Sequence, residues 1–175
     1  MRTRRALFFC FFCAAVLALS PRAASAQRAV IVVRHAEKQT DSDEASVGLS
    51  EAGRARARRL AALLENAGVT AIYATDTVRA MATVEPLARQ LGLEIRKYSP
   101  RDAQGTIDLA PLAARLKKEH GRDVVLVAGH SNTVPPLLKA LGCVEEVRIP
   151  TSRYEDVFLV LPAGPDPPKL LRLTY

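Results

Sequence analysis

The chain has 175 residues and a formal net charge of +7, from 25 Lys and Arg against 18 Asp and Glu. The first 26 residues contain four of the arginines and no acidic residue, so the remaining 149 residues have a net charge of only +3. This balance removes the main argument for nucleic-acid binding. A chain of 149 residues is nevertheless long enough for one domain with a proper hydrophobic core.

The N-terminal segment has the layout of a secretory signal peptide. Arginines occupy positions 2, 4 and 5, an apolar run follows at 7–19, and small residues occupy 24–26 where signal peptidase would cut. The apolar run is short for a membrane-spanning helix, which makes an uncleaved anchor the weaker alternative. We therefore expect residues 1–26 to be removed and residues 27–175 to form the mature domain. That domain would be periplasmic or secreted, with no stable membrane anchor.

Loss of this segment leaves Cys143 as the single cysteine of the mature chain. One cysteine cannot form an internal disulfide, so the fold must be stable without one. A lone thiol in an oxidising compartment is expected to be buried and inert.

Strand and helix patterns alternate along the predicted domain. Unbroken apolar, β-branched runs predict buried strands, and apolar residues at helical spacing between N-caps and glycines predict helices. The predicted strands are 29–33, 69–75, 93–98, 123–130, 155–162 and 170–175, and the predicted helices are 49–68, 76–92, 107–121 and 133–142. The alternation predicts an α/β fold, a single-domain three-layer sandwich whose largely parallel sheet has helices on both faces. Pro86 is expected to kink or split the second helix.

Polar residues follow each of the first four predicted strands. His35 follows the first strand, Asp76 and Arg79 the second, Asp102 the third and His130 the fourth. Parallel α/β sheets bind ligands outside the carboxyl ends of their strands. The sequence therefore predicts a polar site at that edge.

The residue types at this edge favour a phosphate over a metal. Arg34 and Arg79 supply planar guanidinium groups suited to phosphate oxygens, and they disfavour a cation between them. A neutral histidine beside the bound phosphate can attack it as a nucleophile. No zinc-like spacing of ligands occurs, and His120, in the last turn of a helix, is predicted to be structural.

Four blocks carry a recognisable pattern: "RHAEK" at 34–38, "LSEAGRARA" at 49–57, "YATDTVRAMATVEPLA" at 73–88 and "VAGHSNT" at 127–133. In this order and at these separations they resemble the histidine phosphatase superfamily, the phosphoglycerate-mutase-like clan. Ala36 stands where that family usually has glycine.

The resemblance implies a role for four residues. His35 would be phosphorylated on a ring nitrogen, and Arg34, Arg79 and His130 would complete the phosphate pocket. It also implies that neither a metal nor another cofactor is needed.

The group that protonates the leaving oxygen is less evident. Many family members have a glutamate in the segment after the second arginine, and "YSPRDAQG" at 98–105 has none. Asp102 is the nearest substitute by position, and Glu37 is the alternative because it neighbours the nucleophile. Each also has an ordinary structural interpretation. Asp102 would make a turn contact, and Glu37 would form a salt bridge with Lys38 or with an arginine of the first helix.

The sequence thus predicts an exported phosphomonoester hydrolase that acts through a phosphohistidine. Its substrate would be a phosphorylated small molecule, glycolipid or protein, such as a component of the cell envelope. The alternatives are a phosphohistidine-protein phosphatase and a catalytically silent module that binds phosphate or phosphoproteins. The basic run at 54–59 is interpreted as a solvated helix face, and Thr77, Ser131 and Asn132 are expected near the pocket.

Overall fold

The computed structural model describes residues 29–163 and 165–175. The predicted signal segment and the expected new N-terminus lie outside these residues. Six strands are present, listed in chain order: β1 (Ala29–Arg34), β2 (Val69–Thr75), β3 (Ile95–Tyr98), β4 (Val124–Gly129), β5 (Asp156–Ala163) and β6 (Asp166–Thr174). Four helices connect them: α1 (Glu51–Leu64), α2 (Val78–Leu91), α3 (Ala110–Glu119) and α4 (Val134–Leu141).

The strands form one sheet in the order β3-β2-β4-β1-β5-β6. The strands β3, β2, β4 and β1 run parallel to their neighbours, whereas β5 is antiparallel to β1 and β6 is antiparallel to β5. The first four are therefore the parallel core that the sequence predicts. The start of β5 lies at the same edge as their carboxyl ends, because β5 runs in the opposite direction.

Alternate residues of the buried strands face two separate hydrophobic cores. On β1, Ile31 and Val33 pack with the apolar faces of α1 and α2, while Val32 packs with α3 and α4. This division follows from the two-residue period of a strand with both faces covered. The predicted α/β sandwich with helices on both faces is confirmed.

Local signals place the helix ends close to their predicted positions. Ser50 accepts a hydrogen bond from the Gly53 amide at the start of α1, and Thr77 caps α2 in the same way. Pro86 neither ends nor splits α2, which runs continuously to Leu91. A helix tolerates a proline when surrounding packing offsets the lost hydrogen bond, and the flanking Val84 and Leu87 are almost fully buried.

One further expectation, on the cysteine, can be compared with the fold. Cys143 is buried, as predicted, and burial raises the pKa of its thiol to about 11. Within the residues that the structure describes, no helix is long and apolar enough to cross a bilayer.

Candidate active site

The register between β1 and β4 brings two distant histidines together. Arg34, the last residue of β1, is paired with Gly129, the last residue of β4. The next residues, His35 and His130, therefore leave the sheet side by side, with ring centroids 5.1 Å apart. This placement at the carboxyl ends of adjacent parallel strands is the one predicted from the sequence.

A short contact to its own backbone orients the His35 ring. Nδ1 lies 2.7 Å from the carbonyl oxygen of Ala36. A carbonyl can only accept, so Nδ1 carries the proton and Nε2 keeps its lone pair. Burial lowers the pKa of His35 to about 3 despite that hydrogen bond, and the positive charges of Arg34 and Arg79 act in the same direction as burial. The ring is therefore neutral at physiological pH, with the lone pair of Nε2 available.

His130 is held by the end of β2. Its Nε2 lies 2.8 Å from the hydroxyl oxygen of Thr75, the last residue of that strand. Burial lowers the pKa of His130 to about 4, again with Arg79 and Arg34 contributing. Two neutral imidazoles thus lie beside two guanidinium groups, an arrangement that attracts an anion.

Arg34 binds the backbone of the 150–153 segment through Nη1, whereas its Nε has no hydrogen-bond partner among the described residues. Its Nη1 donates to the carbonyl oxygens of Pro150, Thr151 and Arg153, at 3.1, 2.8 and 2.8 Å. The Tyr154 ring covers one face of the guanidinium, with its centroid 3.9 Å from Cζ. The Nε of Arg34 is buried and has no hydrogen-bond partner among the described residues.

Arg79 resembles Arg34 in that its Nη groups bind backbone carbonyls while its Nε has no partner in the region that the structure describes. Its Nη1 donates to the Glu44 carbonyl oxygen at 2.7 Å and its Nη2 to that of Asp43 at 3.3 Å. Its Nε is buried without a partner in the described part of the chain. Leaving a buried cationic donor unpaired is costly. Both arginines line the pocket, so a phosphate bound there would meet two fixed positive charges.

The backbone around the nucleophile is anchored from two helices. The Thr83 hydroxyl of α2 accepts from the Ala36 amide at 2.9 Å and donates to the Arg79 carbonyl at 2.8 Å. From α1, Gly53 approaches the Glu37 carbonyl so closely that an added Cβ would lie 2.2 Å from its oxygen. These contacts connect the nucleophile to the helix that carries Arg79.

Glu37 is not directed into the pocket. Both of its carboxylate oxygens accept hydrogen bonds from Arg56 of α1, at 2.7 to 2.9 Å. Although partial burial opposes ionisation, these hydrogen bonds hold the pKa of Glu37 below its ordinary value. The structure therefore gives Glu37 the salt bridge to an arginine of the first helix, and not the position of a proton donor.

The Asp102 carboxyl makes its hydrogen bonds within its own loop. Its Oδ1 accepts from the amides of Gln104 and Thr106, at 3.0 and 2.8 Å. This is the local turn contact that short acidic side chains make in loops. The structure does not place the Asp102 carboxyl among the pocket residues, whereas the neighbouring Arg101 is one of them.

Other predicted positions are distributed as follows. Asp76, Thr77, Ser131 and Asn132 line the pocket. The Nδ1 of His120 lies 2.7 Å from Asp123, while its Nε2 lies 3.0 Å from the Tyr73 hydroxyl. Its contacts are structural and the ring is not part of the pocket.

The pocket residues that were not identified from the sequence include Thr75, Tyr154 and Asp43. The strand-end rule would have found Thr75 if it were applied to the last residue of β2. Tyr154 precedes a strand that is antiparallel to its neighbour, and nothing local reveals that direction. Asp43 lies in an acidic surface loop whose folding against Arg79 has no sequence signal.

These residues surround an open, polar pocket of about 1130 Å³. Among the described residues, no group of three or more His, Cys, Asp or Glu is arranged to hold a metal ion. The chemistry available is that of two nitrogen bases and two fixed cations, which suits nucleophilic attack on a bound phosphoryl group.

Several solved structures share this fold. The protein histidine phosphatase SixA complexed with tungstate superposes with a TM-score of 0.67 at 20% identity, covering 83% of this chain and 96% of that chain. A putative phosphohistidine phosphatase SixA from Agrobacterium tumefaciens has a TM-score of 0.61 at 20% identity, covering 84% and 98%. A mycobacterial glucosyl-3-phosphoglycerate phosphatase has a TM-score of 0.62 at 20% identity, covering 85% and 98%.

Sequence comparison gives a local match over the first half of the fold. The chain is 40% identical over 68 residues to the 8-oxo-(d)GTP phosphatase of Mycolicibacterium smegmatis, and that match covers 37% of this chain and 21% of the relative. The family model of the histidine phosphatase superfamily (branch 1) matches residues 30–99, which include Arg34, His35 and Arg79. Residues 30–99 of the chain therefore match the histidine phosphatase superfamily.

Proposed function

We propose that the protein is an exported phosphomonoester hydrolase that forms a phosphohistidine at His35. The observation that carries this proposal is the neutral Nε2 of His35 beside two arginines, each with a buried and unpartnered Nε. A phosphate bound beside these guanidinium groups would lie in the pocket that His35 also lines. The geometry suits phosphoryl transfer better than simple binding, because a binding site would not need an oriented, deprotonated ring nitrogen.

In the first step, Nε2 of His35 attacks phosphorus and the bond between phosphorus and the leaving oxygen breaks. Negative charge on the three equatorial oxygens is stabilised by Arg34, Arg79 and the side chain of His130. The hydrogen bond from Nδ1 to the Ala36 carbonyl stabilises the ring as it becomes positively charged. These groups are held in place before the substrate binds, so little reorganisation is needed.

In the second step, water attacks the phosphohistidine and the nitrogen–phosphorus bond breaks. His35 returns to its neutral state and inorganic phosphate leaves. We propose that no metal takes part, since Arg34 and Arg79 already supply the positive charge that a metal would provide.

The substrate is proposed to be a phosphate monoester carried on a component of the cell envelope. The signal-peptide pattern of residues 1–26 supports export. The pocket is wide and open to solvent, which suits a phosphate on a large carrier. Phosphorylated sugars of a surface glycolipid have this form.

A phosphohistidine-protein phosphatase is the second candidate, and one observation favours it. Neither Asp102 nor Glu37 presents its carboxyl to the phosphate. A phosphoramidate needs less help from an acid, because its leaving nitrogen is readily protonated. The fold is also shared with a protein named as a protein histidine phosphatase.

The nucleophile is tested with His35→Ala in the mature protein. With nitrophenyl phosphate as substrate, the variant should lose turnover and should form no acid-labile phosphoenzyme, while its circular dichroism spectrum stays native. Activity within about tenfold of wild type, or about 1.4 kcal/mol of barrier, would exclude His35 as the nucleophile. A wild-type protein that binds phosphate but never turns over nitrophenyl phosphate would be the silent binding module.

Substrate class and export need separate measurements. Phosphorylated envelope sugars and a phosphohistidine protein should be compared by kcat/KM, and the faster substrate decides between the two candidates. N-terminal sequencing of the exported protein should give a start at or near Gln27. A processed protein that still begins at Met1 would contradict the export proposal.

A further inference from the structure

Of the acidic side chains that the structure describes, three line the phosphate pocket: Asp41, Asp43 and Asp76. Asp76 is engaged with Lys97, whose Nζ lies 2.7 Å from its carboxylate. The backbone carbonyl of Asp41 accepts a hydrogen bond from Lys38, so this contact does not involve the Asp41 carboxylate. The carboxylate of Asp43 lies close enough to the site to interact electrostatically with Arg34 and Arg79.

The loop that carries Asp43 is held by the site itself. Arg79 donates to the backbone carbonyls of Asp43 and Glu44, so a phosphate-binding side chain fixes the path of the loop. Lys38, three residues after the nucleophile, donates from Nζ to the Asp43 carboxylate at 2.7 Å and to the Ser42 carbonyl at 3.2 Å. The position of Asp43 is therefore coupled to both the nucleophile segment and Arg79.

The direction of the reaction places the leaving group on the side where Asp43 lies. The attacking nitrogen and the leaving oxygen are roughly in line through phosphorus. His35 is only 3% exposed and attacks from the interior, so the leaving oxygen must point towards solvent. The Asp43 side chain is 88% exposed and stands at that open side.

We propose that Asp43 is the proton-transfer residue of the reaction, an inference that rests on the proposed phosphohydrolase function. In the first step its carboxylic acid gives a proton to the leaving oxygen as the phosphorus–oxygen bond breaks and the nitrogen–phosphorus bond forms. In the second step the resulting carboxylate takes a proton from the attacking water as the nitrogen–phosphorus bond breaks. Phosphate is released and Asp43 recovers its proton, so the cycle balances.

The surroundings of Asp43 suit both steps. In the free protein the hydrogen bond and positive charge of Lys38 hold the pKa of Asp43 below its ordinary value, with Arg79 contributing at longer range. After Asp43 has given its proton to the leaving oxygen, Lys38 stabilises the carboxylate that must accept a proton from water. A bound phosphate adds negative charge beside the carboxyl, which favours the protonated form required before the leaving oxygen departs.

The test is Asp43→Asn assayed on two substrates whose leaving groups differ strongly in their need for a proton. With glycerol phosphate, whose alkoxide leaves poorly, we expect phosphoenzyme formation to slow by about 10²–10⁴-fold. With nitrophenyl phosphate, whose phenolate leaves well, the same step should slow less than tenfold. The matched control is Asp102→Asn, which removes a carboxyl outside the pocket and should leave both rates near those of the wild type.

Each other outcome has a definite meaning. Equal slowing of both substrates would show a purely structural role, and unchanged rates would show another proton source; either result overturns the inference. Asp43→Glu guards against a folding artefact, since restoring a carboxyl should recover part of the glycerol phosphate rate. If wild-type protein forms no phosphoenzyme from nitrophenyl phosphate, the proposed function itself fails, whatever the variants do.

Discussion

The floor and the mouth of the pocket are built in different ways. The floor consists of Arg34, His35, Thr75, Arg79 and His130, side chains at the ends of buried strands or the start of α2, anchored largely by backbone or hydroxyl groups. The mouth consists of the loops at 39–48 and 99–107, where most side chains are exposed. We therefore expect a small perturbation of the floor to disturb the proposed phosphate chemistry strongly. The mouth can vary and select the rest of the substrate.

The largest expected difference between floor and mouth is in kcat when one arginine of each region is replaced by lysine. Arg34→Lys removes the Nη1 contacts to the 150–153 wall and the Nε donor, and should lower kcat by about 10²–10³-fold, as for loss of a charge-stabilising donor. Arg101→Lys at the mouth keeps a mobile cation and should change kcat little. Steady-state kinetics with nitrophenyl phosphate measures both, and equal losses would remove the distinction between floor and mouth.

A buried glycine tests how tightly the floor is held from behind. In Gly53→Ala the new methyl group would collide with the backbone of Glu37, and we expect a loss of about 1–3 kcal/mol in the free energy of unfolding. Gly48→Ala is the matched control, because its added Cβ would meet only ordinary contacts at 3.5 Å or more. Urea denaturation compares them. A native-like stability for Gly53→Ala would mean that α1 can shift without cost.

A single hydroxyl of the floor should have a moderate effect. Thr75→Val keeps the shape of the side chain and removes the hydrogen bond to His130, which should slow phosphoenzyme formation about fivefold, for a bond of about 1 kcal/mol. Thr70→Val, on the exposed side of the same strand, is the control. If the two variants react equally fast, the Thr75 hydroxyl does not orient His130.

The smallest expected effect concerns pH: the His35 and His130 rings at the floor should not titrate in the neutral range. Because the pKa values of His35 and His130 are lowered to about 3 and about 4, both rings should stay neutral from about pH 8 down to pH 5 in the free protein. NMR of the ring nitrogens checks this, and a midpoint near the ordinary value of about 6.5 would contradict it. The unfolded chain binds these protons more readily. The two rings should therefore favour folding fully above about pH 6.5 and lose that contribution as the pH falls towards their folded pKa values.

Much of this molecule can be predicted from local sequence. Unbroken apolar runs determine the parallel strands, because a strand covered on both faces needs apolar side chains at every position. The polar residues just after those strands then identify the sheet edge, and with it His35, Arg79 and His130. The same reasoning fails for Asp102, since the strand-end rule locates a residue but not the direction of its side chain. There, backbone amides of its own loop bind the carboxyl.

Tertiary structure alone decided the partners of the charged groups. The pairing of Glu37 with Arg56 joins residues 19 apart in sequence, and the contact of Arg79 with the carbonyls of Asp43 and Glu44 joins a helix to an irregular loop. Tyr154 reaches Arg34 across 120 positions. Sequence patterns report which faces are buried, because burial depends on residue type and period. Which charge meets which depends on how loops of unpredictable shape fold over the sheet edge, and that is settled only when the whole domain has formed.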